Sequence, residues 1–409
     1  MKICALACAL LSITSPLIAQ DWPEFRGPDG QGHSTAKNLP IEWSSTKHVA
    51  WRTPLPGAGW SSPVLHAGHL YLTAAIPAGA SGNQSLRALS LDAATGKIIW
   101  DQEVFAAPVS RSHSKNSQAS PTPIVRAGRI YVHFGHQGTA CLDLAGKVLW
   151  RNDSLKYSPV HGNGGSPLLV DDLLVFSCDG ASAPFVVALN AATGNVRWKT
   201  PRETLASRKF SFSTPLLAIV GNQQQIISPG SGAVSSYGLD GRERWRVRYG
   251  EGYSVIPRPV FGHGLLFIAT GYDRPTLMAV RPGGTGDVTA SHVAWTLTKG
   301  APNTPSPLLV GDELYLVADS GVASCVDAKI GTIHWQERVC SNTSASPIFA
   351  DGKIYIQDEQ GLGVVLKPGK TFAKLAANSI GERTLASYAA TDGALFIRGD
   401  KHLYRIQSN

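Results

Sequence analysis

Three histidines, His113, His136 and His161, sit in polar stretches between apolar runs, with Lys115, Asn116, Asn163 and Asp179 close by in sequence. Imidazole changes charge near neutral pH, so such a group can move protons or bind a polar or anionic ligand beside basic and carboxylate groups. Gly162, Gly164 and Gly165 flank Asn163 and let backbone come close to a ligand or a neighbouring chain. Further on, Arg208, Lys209, Tyr253, Arg258, Tyr272, Asp273, Arg274 and Asp319 fall in comparable stretches. The expected ligand site comprises His113, Lys115, Asn116, His136, His161, Asn163, Asp179 and Arg258. The competing reading is ordinary: Asn and His also cap loops, and charged groups line any water-filled channel. A metal held by the three histidines is not expected.

No catalytic motif accompanies these residues. The sequence has no G-x-S-x-G elbow and no H-E-x-x-H pair. Gly283-Gly284-Thr285-Gly286 lacks the Lys-Ser/Thr and the following helix of a phosphate loop, so it is read as a long turn. Arg242, Arg244, Arg246 and Arg248 alternate along one strand and so share a face, opposite Trp245 and Val247. Charge protecting a strand edge explains them more simply than an acidic partner. The catalytic residues are left unassigned.

What must position these groups is a repeat. A Ser/Thr-Pro start, two apolar strands, a third strand and a Gly-x-x-x-Trp strand recur along the chain. The landmarks are Trp51, Trp100, Trp150, Trp198, Trp245, Trp295 and Trp335, spaced by about 40–50 residues, the period of propeller blades. Turns such as Asp92-Ala93-Ala94-Thr95-Gly96 precede the Trp strand, with Asp opening the turn and Gly supplying positive φ. Starts at Pro63, Pro123, Pro167, Pro215, Pro259, Pro307 and Pro347 count seven modules. Ser387 to Ile406 adds three more strands without a Trp strand, and His48 to Pro54 has the outer-strand character without a module before it. Pairing these two ends closes an all-β, eight-bladed β-propeller of four-stranded blades. Seven blades is the fallback, because Lys370 to Leu375 must replace the Trp strand of the seventh module. The short Asp-x-x-Thr-Gly turns then share one face of the disc, and the irregular polar loops share the other. The seal at His48 to Pro54 is expected to matter far more to stability than the leader Asp21 to Ser45.

With 42 glycines, 26 prolines and 16% charged residues, the 409-residue chain suits a turn-rich all-β protein. A single core stops growing near ~250–300 residues, a limit that repeats escape because each unit packs only on its neighbours. Lys2, the apolar run Ile3 to Leu11 and the small residue Ala19 read as a signal peptide over residues 1–19, followed by a leader over 20–46 and the propeller over 47–409. Export to the periplasm or envelope is therefore expected, with no membrane-spanning segment after cleavage. Cys141, Cys178, Cys325 and Cys340 would remain, and buried free thiols are the favoured reading for them. The formal charge of +8 is scattered, with no basic stripe interleaved with aromatics, so nucleic acid is not an expected partner.

Ala188-Leu189-Asn190-Ala191-Ala192-Thr193-Gly194-Asn195-Val196-Arg197-Trp198 resembles the tryptophan-docking repeat of quinoprotein dehydrogenases, and Leu89 to Trp100 is a second good copy. The whole mature chain resembles the pyrroloquinoline-quinone-like propeller repeat proteins, which include an outer-membrane protein assembly lipoprotein. The leader Asp21-Trp22-Pro23-Glu24-Phe25-Arg26-Gly27-Pro28 also looks like the mature start of exported bacterial propeller proteins. The resemblance implies either an enzyme or a scaffold, since this architecture carries both. The dehydrogenases hold a vicinal Cys-Cys beside the quinone, and no two cysteines are adjacent here. A non-catalytic scaffold binding an envelope protein or a polar ligand is therefore the first expectation, with no cofactor. An oxidoreductase using pyrroloquinoline quinone with calcium, and an acid–base enzyme using the loop histidines, are the alternatives.

Overall fold

The structure is a computed structural model that describes residues 21–78 and 82–408. The signal peptide expected over residues 1–19 lies outside the described residues. The strands form eight sheets of four antiparallel strands each, one of which gains a short fifth strand in parallel. The eighth is the closing blade, ordered Val49–Pro54, His402–Gln407, Ala394–Arg398, Ala389–Thr391. Thr53 pairs with Leu403 and Pro54 with His402, so the N-terminal strand seals the ring onto the C-terminal three. Eight blades, closed as the repeat implied, is the architecture.

Each blade's middle strands are buried on both faces between neighbouring blades. Leu173–Cys178 and Phe185–Asn190 are almost entirely inaccessible, and they read as continuous apolar runs for that reason. Outer strands such as Val148–Asn152 alternate, because one face meets solvent. The outer strand of the seventh blade is Lys374–Ser379 rather than Lys370 to Leu375. A single helical turn, Thr289–His292, is the one α-helix among the described residues.

The tryptophans dock one blade on the next. Trp51 Nε1 donates to Ala93 O at 3.1 Å, Trp100 to Leu144 O at 3.0 Å, Trp150 to Ala191 O at 3.0 Å and Trp198 to Leu239 O at 2.9 Å. Each ring lies against the turn glycine of the following blade, and at Gly194 a Cβ would strike the Trp150 ring. Trp245 departs from the pattern. The fifth blade lacks the short turn that would receive it, and the longer segment there sends Gly286–Asp287 back to pair in parallel with Trp245–Arg246. Trp245 is thus fully buried and donates to Gln225 Oε1 of its own blade. The Gly283-containing stretch is part of this edge-covering excursion, more than a turn. Arg246 and Arg248 on the covered strand pair with Glu203, Glu243 and Asp287.

A second stitch runs around the channel. Ser62 N–H donates to Thr122 Oγ1, Thr122 N–H to Ser166 Oγ and Ser166 N–H to Thr214 Oγ1, at 2.9–3.0 Å. On the other side, Arg258 N–H donates to Ser306 Oγ, Ser306 N–H to Ser346 Oγ, Ser346 N–H to Ser387 Oγ and Ser387 N–H to Ser62 Oγ, at 2.9–3.2 Å. The recurrent hydroxyl before proline is therefore an inter-blade acceptor for a backbone N–H that would otherwise be buried without a partner. The fifth blade carries Arg258 at this position, and its Nε bonds Pro215 O instead.

The leader is part of the fold. Trp22 pairs with Leu65 in the first blade and Pro23 O accepts from Val125 N–H in the second. Arg26 Nη2 reaches Pro307 O at 2.7 Å, Gly32 and Ser34 bond Phe349, and Lys37 N–H donates to Asp392. The segment thus crosses the channel from one side of the ring to the other on the short-turn face. Trp22, Glu24, Arg26, Leu39 and Trp43 are all buried. The leader is therefore packed into the ring, as is the sealing strand His48 to Pro54.

Candidate functional site

The channel is a cup with one mouth. Phe25 of the leader lines its closed end, and a cavity of about 290 Å³ opens toward the long-loop face. Its wall carries the hydroxyl ring, from Ser62 and Thr122 round to Ser346 and Ser387. Its rim carries Trp60, His113, Lys115, Asn116, His161, Phe212, Tyr253 and Tyr272, contributed by several blade connections.

Four of the site residues expected from sequence meet here. The rings of His113 and His161 stand edge-to-face, 5.5 Å between centroids. His113 N–H donates to His161 O at 3.0 Å, and Asn116 Nδ2 donates to the same oxygen at 2.9 Å. These bonds tie the first-to-second blade connection to the second-to-third. Burial, then the neighbouring His113 and Arg111, hold the His161 imidazole below its ordinary pKa, favouring its neutral form. Lys115 Nζ lies 2.7 Å from Glu359 Oε1 on the seventh blade, spanning the mouth. An arc of rings continues from His161 to Phe210 at 5.1 Å, Phe210 to Tyr253 at 5.4 Å and Tyr253 to Tyr272 at 6.4 Å.

The other expected residues go elsewhere. Asn163 is buried beneath the loop at Gly135, donating through Nδ2 to Phe134 O at 3.0 Å, with its Oδ1 3.5 Å from His136 Nδ1. Burial lowers the His136 pKa, partly offset by Asn163. Asp179 pairs with buried Arg202 at 2.9 Å, and burial nonetheless pushes its carboxyl up to about 6. Its second oxygen has no partner and faces a small polar pocket shared with His133, Ser177 and Ser211. His136 and Asn163 thus join the second and third blades, and Asp179, through Arg202 and its bond to Ser228 O, the third and fourth, rather than lining the cup. Arg258 also lies apart from the mouth. Its guanidinium points to the short-turn side, where Nη1 bonds Glu24 Oε1 at 3.1 Å and Phe25 O at 2.7 Å.

The sequence reading did not single out the hydroxyl ring, Trp60 and Phe212 of the cavity wall, or Glu359 as the partner of Lys115. The repeated Ser/Thr before proline was the available signal for the ring. Nothing local marks the others, because each depends on which loops the ring brings together.

The four cysteines of the described residues are buried and unpaired, and burial pushes Cys141 and Cys325 up to about 11. None lines the cavity. Among the described residues, no group of three or more His, Cys, Asp or Glu side chains is placed to hold a metal ion. The residues present therefore do not fit a quinone held beside adjacent cysteines and calcium. No helix among the described residues is long and apolar enough to cross a membrane.

This geometry defines a quinoprotein-like propeller of the repeat class. The chain belongs to the family described as outer membrane protein assembly factor BamB, whose model matches residues 80–228 and 230–408. It is 26% identical over 290 residues to the outer membrane protein assembly factor BamB of Moranella endobia (strain PCIT), covering 66% of this chain and 68% of that protein. Among solved structures, BamB from Moraxella catarrhalis superposes with a TM-score of 0.61 at 12% identity, covering 88% of this chain and 98% of that one. Quinohemoprotein alcohol dehydrogenase from Comamonas testosteroni superposes with a TM-score of 0.68 at 12% identity, covering 94% and 80%. At such identities the two structures share the fold.

Proposed function

We propose that this protein is an exported, non-catalytic scaffold that docks a protein of the outer-membrane assembly machinery on its long-loop face. The observation that carries this reading is the asymmetry of the disc. The leader covers the channel on the short-turn face, while the opposite rim presents Arg111, His113, Arg208 and Asp273 on exposed loops. Family membership favours an assembly role over redox chemistry, and the buried, separate cysteines favour it further. The periplasm or the inner side of the envelope is the compartment this role requires.

A photo-crosslinking amino acid at position 111 or 208, in the full chain expressed in its native envelope, tests the reading. Adducts with a component of the outer-membrane assembly machinery are expected from these positions and not from position 95 or 147 on the short-turn face. Equal labelling from both faces, or none from the long-loop face, would overturn it.

A further inference from the structure

The cup has the chemistry of a small-molecule site in its own right. Its wall hydroxyls each accept one backbone N–H bond from the adjacent blade, which uses one lone pair and leaves the proton and the second lone pair. Ser346 donates its proton to Ser306, whereas the hydroxyls of Ser62, Thr122, Ser166 and Thr214 donate to no acceptor among the described residues. These side chains are all at least nine-tenths buried and line the cavity. A buried donor without a partner costs about 1–3 kcal/mol, so the wall calls for an acceptor-rich occupant.

Water meets that demand in a purely polar channel, but this one also has flat apolar walls. Trp60, Phe212 and Tyr272 are partly exposed and line the same space as the hydroxyls. Arg383 covers Trp60 with its guanidinium 5.4 Å from the ring centroid, which holds the indole in place. The negative face of an aromatic ring attracts positively polarised C–H groups. Charge is scarce. The lining has no Arg, Asp or Glu, and its single lysine, Lys115, is neutralised by Glu359. An anion would find no unpaired Lys or Arg in the lining itself, Arg383 lying behind Trp60. A cation would find no unpaired carboxylate in the lining.

We infer that the channel cup binds a neutral saccharide of one or two rings, its C–H faces against Trp60 and Tyr272 and its hydroxyls on the Ser/Thr ring. A cavity of about 290 Å³ is at the small end of ligand pockets, which run roughly from 300 to 1,000 Å³. The closed end at Phe25 makes the long-loop face the sole entrance among the described residues. This inference goes beyond partner docking and does not rest on it: a scaffold without a sugar, or a sugar binder without that partner, are separate results.

The test uses the full mature chain and a panel of neutral sugars: glucose, galactose, mannose, N-acetylglucosamine and their disaccharides, with citrate and phosphate as anion controls. Binding is read by calorimetry and by tryptophan fluorescence. At least one neutral sugar is expected to bind saturably. Trp60→Phe should remove the fluorescence change while binding remains measurable by heat. Tyr272→Ala should weaken binding by about tenfold, the loss of one stacked ring. Unchanged thermal unfolding of Trp60→Phe and Tyr272→Ala would show that these effects are local. Binding of citrate or phosphate alone, no binding of any sugar, or sugar binding indifferent to both substitutions would each overturn the inference.

Discussion

Arg258 Nη1 lies 3.1 Å from Glu24 Oε1, and both side chains are sealed from solvent at the closed end of the channel. One partner comes from the fifth blade and the other from the leader, so the pair rivets the leader across the ring. Burial raises the Glu24 pKa, with Arg258 and then Arg126 opposing the rise. A charge left behind in such a place has no water to turn to.

Arg258→Met should therefore destabilise the protein by about 3–5 kcal/mol, the cost of breaking a buried pair and stranding its partner. Adding Glu24→Gln to that variant should recover part of the loss, because the stranded charge is then gone. Deleting residues 21–45 should lower the urea midpoint substantially, since Trp22, Leu39 and Trp43 lose their burial. Equilibrium urea unfolding followed by far-ultraviolet circular dichroism measures all three.

The hydroxyl ring predicts a loss from a substitution that barely changes shape. Thr122→Val removes the acceptor of the Ser62 N–H, a buried donor held at 2.9 Å. A stability loss of about 1–3 kcal/mol is expected. Thr95→Val, in an exposed turn, should cost less and serves as the comparison. A Thr122→Val variant as stable as the wild type in thermal unfolding would remove the ring from the account of blade cohesion.

Tryptophan docking predicts coupled losses across a blade boundary. Trp150→Ala should cost about 3 kcal/mol through lost packing and the lost bond to Ala191 O. Gly194→Ala should also destabilise, because φ is +76° there and the new methyl would strike the Trp150 ring. In the double variant the collision no longer exists, so the combined loss should fall short of the sum. Denaturation of the two single variants and the double one tests the coupling.

His133 predicts an acid-sensitive stability. Burial, with a minor contribution from His136, lowers its imidazole pKa to about 3, against an ordinary value of 6.5. Between these values the unfolded chain binds a proton that the folded chain refuses, so stability falls as pH drops from about 6.5 toward 3. Asp179 acts in the opposite sense: with its carboxyl at about 6, its contribution declines as pH rises from about 4 to 6. Comparing wild type with His133→Phe at each pH cancels the Asp179 effect. The variant should show a shallower loss of stability in acid, by up to a few kcal/mol at pH 3–4. Parallel curves for the two proteins would contradict the assignment.

The sequence by itself determined the module and pointed to eight of them, with seven as the fallback, closed by pairing the two ends; the structure decided for eight. Gly-x-x-x-Trp, Ser/Thr-Pro and the paired ends at Trp51 and Arg405 are local or periodic signals, and each blade is a local structure. It also separated a plain face from an irregular one, which places His113, Lys115, Asn116 and His161 together at the mouth. Only the tertiary structure decided where Arg258, Asp179 and Asn163 point, because burial between blades depends on neighbours more than twenty residues away. The same holds for the leader. Nothing in Trp22 to Trp43 repeats, so no period announces that it crosses the ring and closes the channel. Repetition is readable along a chain; contact across the axis of a ring is not, and here that contact decides which end of the channel is open.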